Sequence, residues 1–312
     1  MTVLAGGVGG AKLVDGLAAI VGDEELRIIV NTADDEEFYG LHISPDIDTI
    51  VYTLAGIADK EKGWGIDGDT YRCLEMLSRY GLETWFKIGD MDFATHIFRT
   101  LMMQKGKKLS EITEIITKRL GIRQRVIPMT DGRVRTMVMT DEGYLSFQRY
   151  FVEKRGEVKV REVIYEGAED TKPCPAVIPS ILDSRAVIIA PSNPILSIGP
   201  ILALQGVREA LQRTKALRIG VTPIIAGRAV KGPVDRLMRD LGLEPNVVSV
   251  ARFYSDILDL FIIDRADAEL SGEVMKYVSK CLITDTLMQT RGDRIKLASY
   301  ILTTIHQLRN SD

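Results

Sequence analysis

The fold is decided near the start of the chain by residues 2–20, which read TVLAGGVGGAKLVDGLAAI. Val3–Ala5 is a short apolar run that stops at a cluster of glycines, and from Ala11 onward apolar residues recur at helical spacing. This order predicts a strand, a glycine loop and a helix, and Leu26–Val30 follows as a second buried strand. We therefore predict an α/β fold: a Rossmann-like, mostly parallel sheet with helices on both faces.

The rest of the chain continues this alternation and contains one interruption. Strands are predicted at Ala186–Ala190, Leu217–Val221, Val247–Val250 and Leu260–Ile263. Helices are predicted at Thr70–Arg79, Thr95–Met103, Glu111–Leu120 and Arg294–Leu308. Between about residues 125 and 170, apolar residues alternate on both sides of a turn signal, which indicates a small β-rich insert. We therefore assign residues 1–125 and 171–312 to the core domain and residues 126–170 to the insert.

The composition argues against several classes of protein. The chain has 312 residues, 46% of them hydrophobic, and a formal net charge of -3. Its lysines and arginines are mixed with acidic residues, so no broad basic face and no nucleic-acid partner are expected. Cys73, Cys174 and Cys281 are far apart and form no CxxC pair, which argues against a zinc knuckle or a disulfide framework.

The sequence gives no sign of export or of membrane insertion. Its first residues lack the basic region and long apolar run of a signal peptide. No apolar run approaches the roughly 18 residues that suggest a membrane span. We therefore expect a cytoplasmic protein that does not interact with a membrane.

The first candidate site is the glycine cluster, where backbone amides could approach a phosphate closely. The positive end of the following helix would attract an anion, and a lysine would add a point charge. The spacing does not match a P-loop and fits GxGxxG only in part, because Lys12 stands in the place of the third glycine. A tight turn without a ligand is the alternative. The residues predicted to contact such a phosphate, which the resemblance described below identifies as a nucleotide diphosphate, are Gly6, Gly7, Val8, Gly9 and Lys12.

The second candidate site is a pair of acidic residues, Asp46 and Asp48. In an extended segment, residues two apart project to the same side, so both carboxylates could bind one ion. Hard oxygen ligands suit Mg²⁺, which also binds substrate phosphates. Thr49 could begin the following helix as its cap. The alternative is a solvated turn rich in aspartate.

The third candidate site is the stretch from Gly89 to Arg99, where a turn leads into a predicted helix. His96 and Arg99 are three residues apart, so they share one face of that helix. Asp92 or Thr95 could cap the helix, and Lys87 ahead of the turn could contact an anion. His96 could equally be a core residue whose hydrogen bonds are satisfied within the protein.

The fourth candidate site is a polar pair bracketed by prolines, Ser192 and Asn193, which follows the predicted strand Ala186–Ala190. Such a pair would lie at the carboxyl edge of a parallel sheet, where open α/β sheets bind ligands. A helix is expected to begin near Ser197. A rigid turn without a ligand is the alternative.

The motifs, taken together in their order, resemble a known family. They are Gly6–Lys12, Asn31–Asp35, Ile43–Thr49, Trp64–Ile66, Ile88–Asp90, Ala94–His96 and Pro191–Pro194. In this order the chain resembles the 2-phospho-L-lactate transferase family of factor 420 biosynthesis. The resemblance covers most of the chain, from the first strand to beyond Gly232.

The resemblance implies a Rossmann-like enzyme that uses Mg²⁺ and forms a homodimer. Such an enzyme transfers the phospho-acid of a lactyl or enolpyruvyl diphosphoguanosine donor to the ribityl hydroxyl of 7,8-didemethyl-8-hydroxy-5-deazariboflavin, and GMP leaves. It implies that Asp46 and Asp48 are the catalytic and metal-binding residues, either of which could be the general base. Ser192 and Asn193 would line the nucleotide side. The residues implied on the deazaflavin side are Asp48, Thr49, Lys87, Asp90, Met91, Asp92, Thr95, His96 and Arg99.

The sequence departs from the family pattern at Met91, where members usually carry arginine between the two aspartates. This removes a cation expected near the acceptor or the phosphates. A related nucleotide-sugar-binding regulator without catalytic activity is one alternative, but the acidic pair favours metal chemistry. A nicotinamide-dependent oxidoreductase is another, but its glycine motif would be more regular and it would leave the Ser44–Thr49 motif unexplained.

Overall fold

A computed structural model describes residues 1–22, 25–230 and 234–309 of the chain. The strands are β1 (Thr2–Ala5), β2 (Arg27–Val30), β3 (Glu36–Phe38), β4 (Leu41–Ile43), β5 (Arg125–Pro128), β6 (Arg135–Thr140), β7 (Gly143–Ser146), β8 (Val160–Glu166), β9 (Ala186–Ile189), β10 (Leu217–Val221), β11 (Ile224–Ile225), β12 (Arg228–Ala229), β13 (Leu260–Asp264) and β14 (Lys280–Thr284). The α-helices are α1 (Gly7–Ala18), α2 (Pro45–Leu54), α3 (Arg72–Arg79), α4 (Asp90–Gln104), α5 (Leu109–Arg119), α6 (Val177–Leu182), α7 (Gly199–Ala203), α8 (Val207–Arg213), α9 (Val234–Asp240), α10 (Val247–Phe253), α11 (Ser271–Val274) and α12 (Arg291–Arg309). Shorter turns of π or 3₁₀ type lie at Arg149–Glu153, Pro194–Ile198 and Arg265–Leu270.

The central element is a seven-stranded parallel sheet with the strand order β14-β13-β10-β9-β1-β2-β5. β1 lies between β2 and β9, with Leu4 opposite Ile29 on one side and Ile189 on the other. All four residues of β1 are buried, as expected of a strand covered by helices on both faces. This confirms the predicted α/β, Rossmann-like fold.

Two hydrophobic clusters occupy the two faces of this sheet. Val3 and Ala5 pack on one face with Leu13 of α1 and Ile301 of α12. Leu4 points to the other face, where the cluster includes residues of α6 through α10. The alternation of neighbouring residues between the clusters follows from the two-residue repeat of a strand.

One predicted strand is wrong. Val247–Val250 forms the start of α10, although its β-branched residues favour a strand. The Asn246 side chain accepts a hydrogen bond of 2.9 Å from the Ser249 amide and so caps a helix at this point. The edge strands β5 and β14 of the central sheet are not among the predicted strands.

The predicted β-rich insert corresponds to a separate antiparallel sheet in the order β7-β6-β8. β5 belongs instead to the central sheet, where it pairs with β2, so the predicted boundary at residue 126 falls inside a core strand. The small sheet is joined to the loop after β2. The Thr136 amide donates to the Ala33 carbonyl, and Arg135 forms an ion pair with Glu36 at 2.8 Å.

Among the described residues, no helix is both long enough and apolar enough to span a membrane. The longest of them, α12, carries Arg291, Asp293 and Lys296 along its length.

Candidate functional site

The amino-terminal end of α1 is held against the loop that follows β9. The Ser192 hydroxyl accepts a hydrogen bond from the Gly6 amide at 3.1 Å and donates one to the Gly6 carbonyl at 2.8 Å. α1 begins at Gly7, whose φ of +61° favours glycine, and not at Ala11 as predicted. The predicted glycine loop is therefore the first turn of the helix.

Asp46 and Asp48 lie in the first turn of α2, which begins at Pro45 after Ser44. The prediction of an extended segment is wrong, and so is the prediction that Thr49 caps the helix. Residues two apart in an α-helix point about 200° away from each other. The two carboxylates therefore do not share a face, and they contact different groups.

Asp46 forms a buried acidic pair with Asp34. The Asn31 side-chain amide donates to both carboxylates, at 3.0 Å each, and Asp46 also accepts from the Gly7 amide at 2.8 Å. Burial raises the pKa of Asp46 to about 6, although the hydrogen bonds from Asn31 and Gly7 lower it in part. Burial and the nearby Asp46 carboxylate raise the pKa of Asp34 well above its usual value. The site thus holds two carboxylates that are costly to ionise together.

Asp48 belongs instead to a buried polar cluster on the inner face of α4. Both of its oxygens accept hydrogen bonds from the Arg99 guanidinium, one of them at 3.1 Å. His96 lies on the same face of α4 as Arg99, as predicted, with Nδ1 3.2 Å from Arg99 Nη1. Its Nε2 lies 3.3 Å from Asp92, and Asp92 accepts a hydrogen bond of 2.6 Å from the Tyr52 hydroxyl. Burial alone would raise the pKa of Asp92, but His96, Tyr52 and Arg99 outweigh it and hold that pKa below its usual value.

Two groups of side chains around these carboxylates have the donor atoms that a metal ion requires. Asp48, Asp92 and His96 offer ligand atoms within 4.8 Å of one another. The Arg99 guanidinium already neutralises Asp48, so a cation there would face a fixed positive charge. The pair formed by Asp34 and Asp46 fits Mg²⁺ better. It offers two hard oxygen donors, and Asp34 Oδ1 is buried without a well-formed hydrogen bond among the described residues.

The amino-terminal end of α4 is held by Asp69, and not by Asp92 or Thr95 as predicted. Asp69 accepts hydrogen bonds from the Met91 and Asp92 amides at 2.9 and 3.1 Å. Asp90 turns back to accept from the Thr70 hydroxyl and from the backbone at the start of α3. Met91 is 47% exposed. The position where the family carries arginine therefore lies on the outer surface of α4.

A cavity of about 470 Å³ joins most of these groups at the carboxyl edge of the sheet. The predicted residues that line it are Gly6, Gly7, Val8, Gly9, Lys12, Asp46, Asp48, Thr49, Lys87, Asp92, His96, Ser192 and Asn193. The predicted residues that are not part of its lining are Asp90, Met91, Thr95 and Arg99. Arg99 is 1% exposed and can act on the cavity only through the lining residues that it contacts, Asp48 and His96.

Two of the lining residues also have structural roles. Lys12 donates a hydrogen bond of 2.8 Å to the Met288 carbonyl and so links α1 to the segment after β14. The Asn193 side chain accepts hydrogen bonds from the Ile195 and Leu196 amides, so it caps the helical turn that follows. That turn begins at Pro194, ahead of the predicted start near Ser197.

Several lining residues were not predicted from the sequence. Asp34 belongs to the Asn31–Asp35 motif and follows β2 at a carboxyl strand end, where open α/β sheets bind ligands, but the sequence assigned it no role in the site. Gln148 comes from the segment after the small sheet, and its side chain donates to the Asp34 carbonyl at 2.9 Å. The other unpredicted residues include an aromatic set, Tyr52, Trp64, Phe86, Phe147 and Phe151, and a set near β10 and β14, Thr222, Pro223, Thr286 and Met288.

Replacing Asp46 with asparagine should change how stability depends on pH. The pKa of Asp46 is about 6 in the folded protein, and its usual value is 3.8. The contribution of the protonated carboxyl group to the free energy of unfolding is therefore fully present below about pH 3.8 and is lost as pH rises through about 6. At about 1.36 kcal/mol per pKa unit, the free energy of unfolding falls by an amount on the order of 3 kcal/mol. Asp46→Asn should avoid this loss and be more stable than the wild type above about pH 7. Urea unfolding with EDTA present measures the difference in free energy of unfolding between the variant and the wild type, which should shrink below about pH 4. An equal pH dependence in both proteins would contradict the raised pKa.

Comparison with known proteins gives a consistent result. The family described as 2-phospho-L-lactate transferase CofD matches residues 1–299. The chain is 41% identical to a 2-phospho-L-lactate transferase of Methanocaldococcus jannaschii, over 97% of each chain, and 42% identical to one of Methanopyrus kandleri, over 99% and 98%. It is also 38% identical to a phosphoenolpyruvate transferase of Streptomyces griseus, over 92% of each chain.

A solved structure shares the fold at much lower identity. It is a UPF0052 family protein of Bacillus halodurans, with a TM-score of 0.61 and 16% identity, over 96% of this chain and 98% of that one. The extent of the sequence matches shows the family directly. The chain belongs to the 2-phospho-L-lactate transferase family, a family of transferases.

Proposed function

We propose that the protein transfers the phospho-acid of a lactyl or enolpyruvyl diphosphoguanosine donor to the ribityl hydroxyl of 7,8-didemethyl-8-hydroxy-5-deazariboflavin. One observation carries the proposal: a single cavity reaches the glycine-rich start of α1, the acidic pair and a wall of aromatic side chains. A diphosphate, a metal ion and a planar ring system each have a matching surface there.

The cavity lining offers a different surface to each of the two substrates. Trp64, Phe86, Phe147 and Phe151 would supply aromatic contacts to the deazaflavin, whose tricyclic ring is larger than guanine. The lining near β10 and β14, which lie on the other side of β1 from β2 in the sheet, would take the guanosine. The diphosphate would then lie between them, at the start of α1 and beside Ser192.

The chemistry proposed for the centre is an in-line phosphoryl transfer. The hydroxyl oxygen of the acceptor forms a bond to the phosphorus that carries the acid, and the bond from that phosphorus to the GMP phosphate breaks. Asp48, which is held in place by its ion pair with Arg99, would orient the acceptor hydroxyl and take its proton. Asp34 and Asp46 would hold Mg²⁺, which when bound neutralises charge on the donor diphosphate.

A fluorescence titration with the deazaflavin, with GDP and Mg²⁺ present or absent, tests this function. Saturable binding, followed by GMP release with either activated donor, would support it, and the ratio of the two rates would identify the preferred acid. A folded protein that binds the nucleotide but neither binds the deazaflavin nor releases GMP would contradict the transferase proposal. That result would favour a nucleotide-binding regulator.

Trp64→Ala should weaken binding of the deazaflavin about tenfold, or about 1.4 kcal/mol, because a large stacking surface is lost. Trp64 is 39% exposed at the cavity, and Lys62 Nζ lies 5.8 Å from its ring centroid. Tyr144→Ala is the control, because Tyr144 is 57% exposed on β7 and is not part of the cavity lining. The same titration measures both variants. Equal losses of deazaflavin affinity in Trp64→Ala and in the control would show that Trp64 is not a stacking surface for the acceptor.

A further inference from the structure

The small sheet β7-β6-β8 is attached to the acidic loop, residues 31–35, which follows β2 and carries one half of the acidic pair. The Thr136 amide of β6 donates a hydrogen bond of 2.8 Å to the Ala33 carbonyl. Arg135 of the same strand forms its ion pair with Glu36, one residue beyond the loop. The insert therefore contacts the candidate metal site through this loop, in addition to lining the cavity.

A third contact from the insert reaches Asp34 itself. Gln148 lies between β7 and the helical turn Arg149–Glu153, and its side chain is buried, with 3% exposed. Its amide nitrogen Nε2 donates a hydrogen bond of 2.9 Å to the Asp34 carbonyl oxygen. That carbonyl belongs to a planar peptide unit attached to the Asp34 α-carbon, so the hydrogen bond fixes the direction in which the carboxyl group leaves the backbone. Loss of the donor would leave a buried carbonyl oxygen unsatisfied, which is costly.

The carboxyl group of Asp34 is restrained from a second direction by Asn31. Asn31 Nδ2 donates to Asp34 Oδ2 at 3.0 Å, and Asn31 Oδ1 accepts from the Ala33 amide at 2.9 Å. The other carboxylate oxygen, Oδ1, is buried without a well-formed hydrogen bond among the described residues. Asp34 thus presents one oxygen that the protein holds in place but does not satisfy, as a ligand for a cation should be.

The segment that carries Gln148 is held on both sides by aromatic contacts. The rings of Phe147 and Phe151 are stacked, with their centroids 5.3 Å apart and an angle of 10° between their planes. The Arg149 guanidinium lies 6.0 Å from the ring centroid of Trp85. These contacts fix the backbone directly before and after Gln148. A residue can orient a metal ligand only when its own position is fixed in this way.

We propose that Gln148 is a positioning residue of the metal site, and that the insert acts through it to set the affinity of Asp34 for Mg²⁺. The inference rests on the assignment of Asp34 and Asp46 to Mg²⁺ in the proposed function. Gln148 contacts neither the ion nor the reacting atoms. Its effect is to hold a ligand, and groups of this kind change metal affinity by about 10–100-fold when they are removed.

Gln148→Met keeps the length of the side chain but removes the donor, so it should raise the dissociation constant for Mg²⁺ about tenfold or more. Calorimetric titration of MgCl₂ into the GDP-saturated protein measures this constant, after subtraction of a titration into GDP alone. The affinity for GDP without Mg²⁺ should not change. Arg135→Gln is the matched control, because it removes the ion pair between the insert and Glu36. In about 0.15 M salt, which screens exposed charges, its Mg²⁺ affinity should stay close to that of the wild type.

An unchanged Mg²⁺ affinity in folded Gln148→Met overturns the inference, and so does an equal loss in Arg135→Gln. A loss of GDP affinity without Mg²⁺ would make Gln148 a substrate contact and also contradicts it. Circular dichroism shows whether each variant is folded. If Gln148→Met is not, Gln148→Asn, whose amide is one methylene too short to reach the carbonyl, should show the same loss. A wild type that binds no Mg²⁺ overturns the metal assignment and this inference with it, whereas the deazaflavin titration tests the transferase proposal separately.

Discussion

Asp48→Asn is expected to lower the transfer rate by a factor of about 10²–10⁴ and the free energy of unfolding by about 3–5 kcal/mol. The rate falls because asparagine cannot take the proton of the acceptor hydroxyl. The stability falls because Arg99, which is 1% exposed, keeps its charge but loses the carboxylate that neutralises it. Steady-state assays and urea unfolding measure the two effects separately.

The Arg99→Met variant and the double variant identify the cause of the stability loss. Removing only the guanidinium leaves a buried carboxylate, so Arg99→Met should also destabilise the protein. Asp48→Asn with Arg99→Met removes both charges, and its cost should be well below the sum of the two single costs. Transfer should remain low in the double variant. Additive losses would show that the ion pair does not hold Asp48 in place.

Gly9→Ala is expected to lower the free energy of unfolding by about 3 kcal/mol or more and to abolish binding of the nucleotide donor. A methyl group at residue 9 would overlap the carbonyl oxygen of Pro191, so α1 and the loop after β9 would have to separate. That separation would also break the pair of hydrogen bonds between Gly6 and Ser192. Thermal unfolding and GDP titration measure the two losses.

Gly272→Ala is the matched control for this substitution. Residue 272 lies in α11, and a methyl group there would meet no atom within 4 Å. Alanine also favours a helix over glycine, so this variant should be as stable as the wild type or slightly more stable. If Gly9→Ala behaved like Gly272→Ala, the close approach of α1 to Pro191 would not be needed for either folding or binding.

The fold was largely predictable because its signals are local. The apolar runs at β1, β2, β9, β10 and β13 are short, β-branched and followed by turn residues. The strand prediction at Val247–Val250 is wrong because of another local signal. One hydrogen bond to the Asn246 side chain caps a helix there and outweighs the β-branched composition of the segment. Strand composition is a weaker constraint than a specific cap when a segment is only four residues long.

The internal arrangement of the site was less predictable because its contacts join distant parts of the chain. The sequence suggests that Asp46 and Asp48 act together, but α2 begins at Pro45 and turns them apart. The pairing of Asp46 with Asp34 depends on Asn31, which reaches both only when β2 and α2 are assembled. Likewise, nothing near Arg99 in the sequence indicates that its guanidinium binds Asp48.

The central position of β1 has a consequence for synthesis of the chain on the ribosome. β1 pairs with β9, and Ser192 binds Gly6 across 186 residues. The first strand can therefore acquire its second neighbour only after more than half of the polypeptide has left the exit tunnel. Until then the edge of β1 and the start of α1 stay open, and long-range parallel pairing of this kind forms slowly. The nascent chain thus passes through a prolonged stage in which a chaperone would protect it from aggregation, and the cavity beside α1 can close only late in translation.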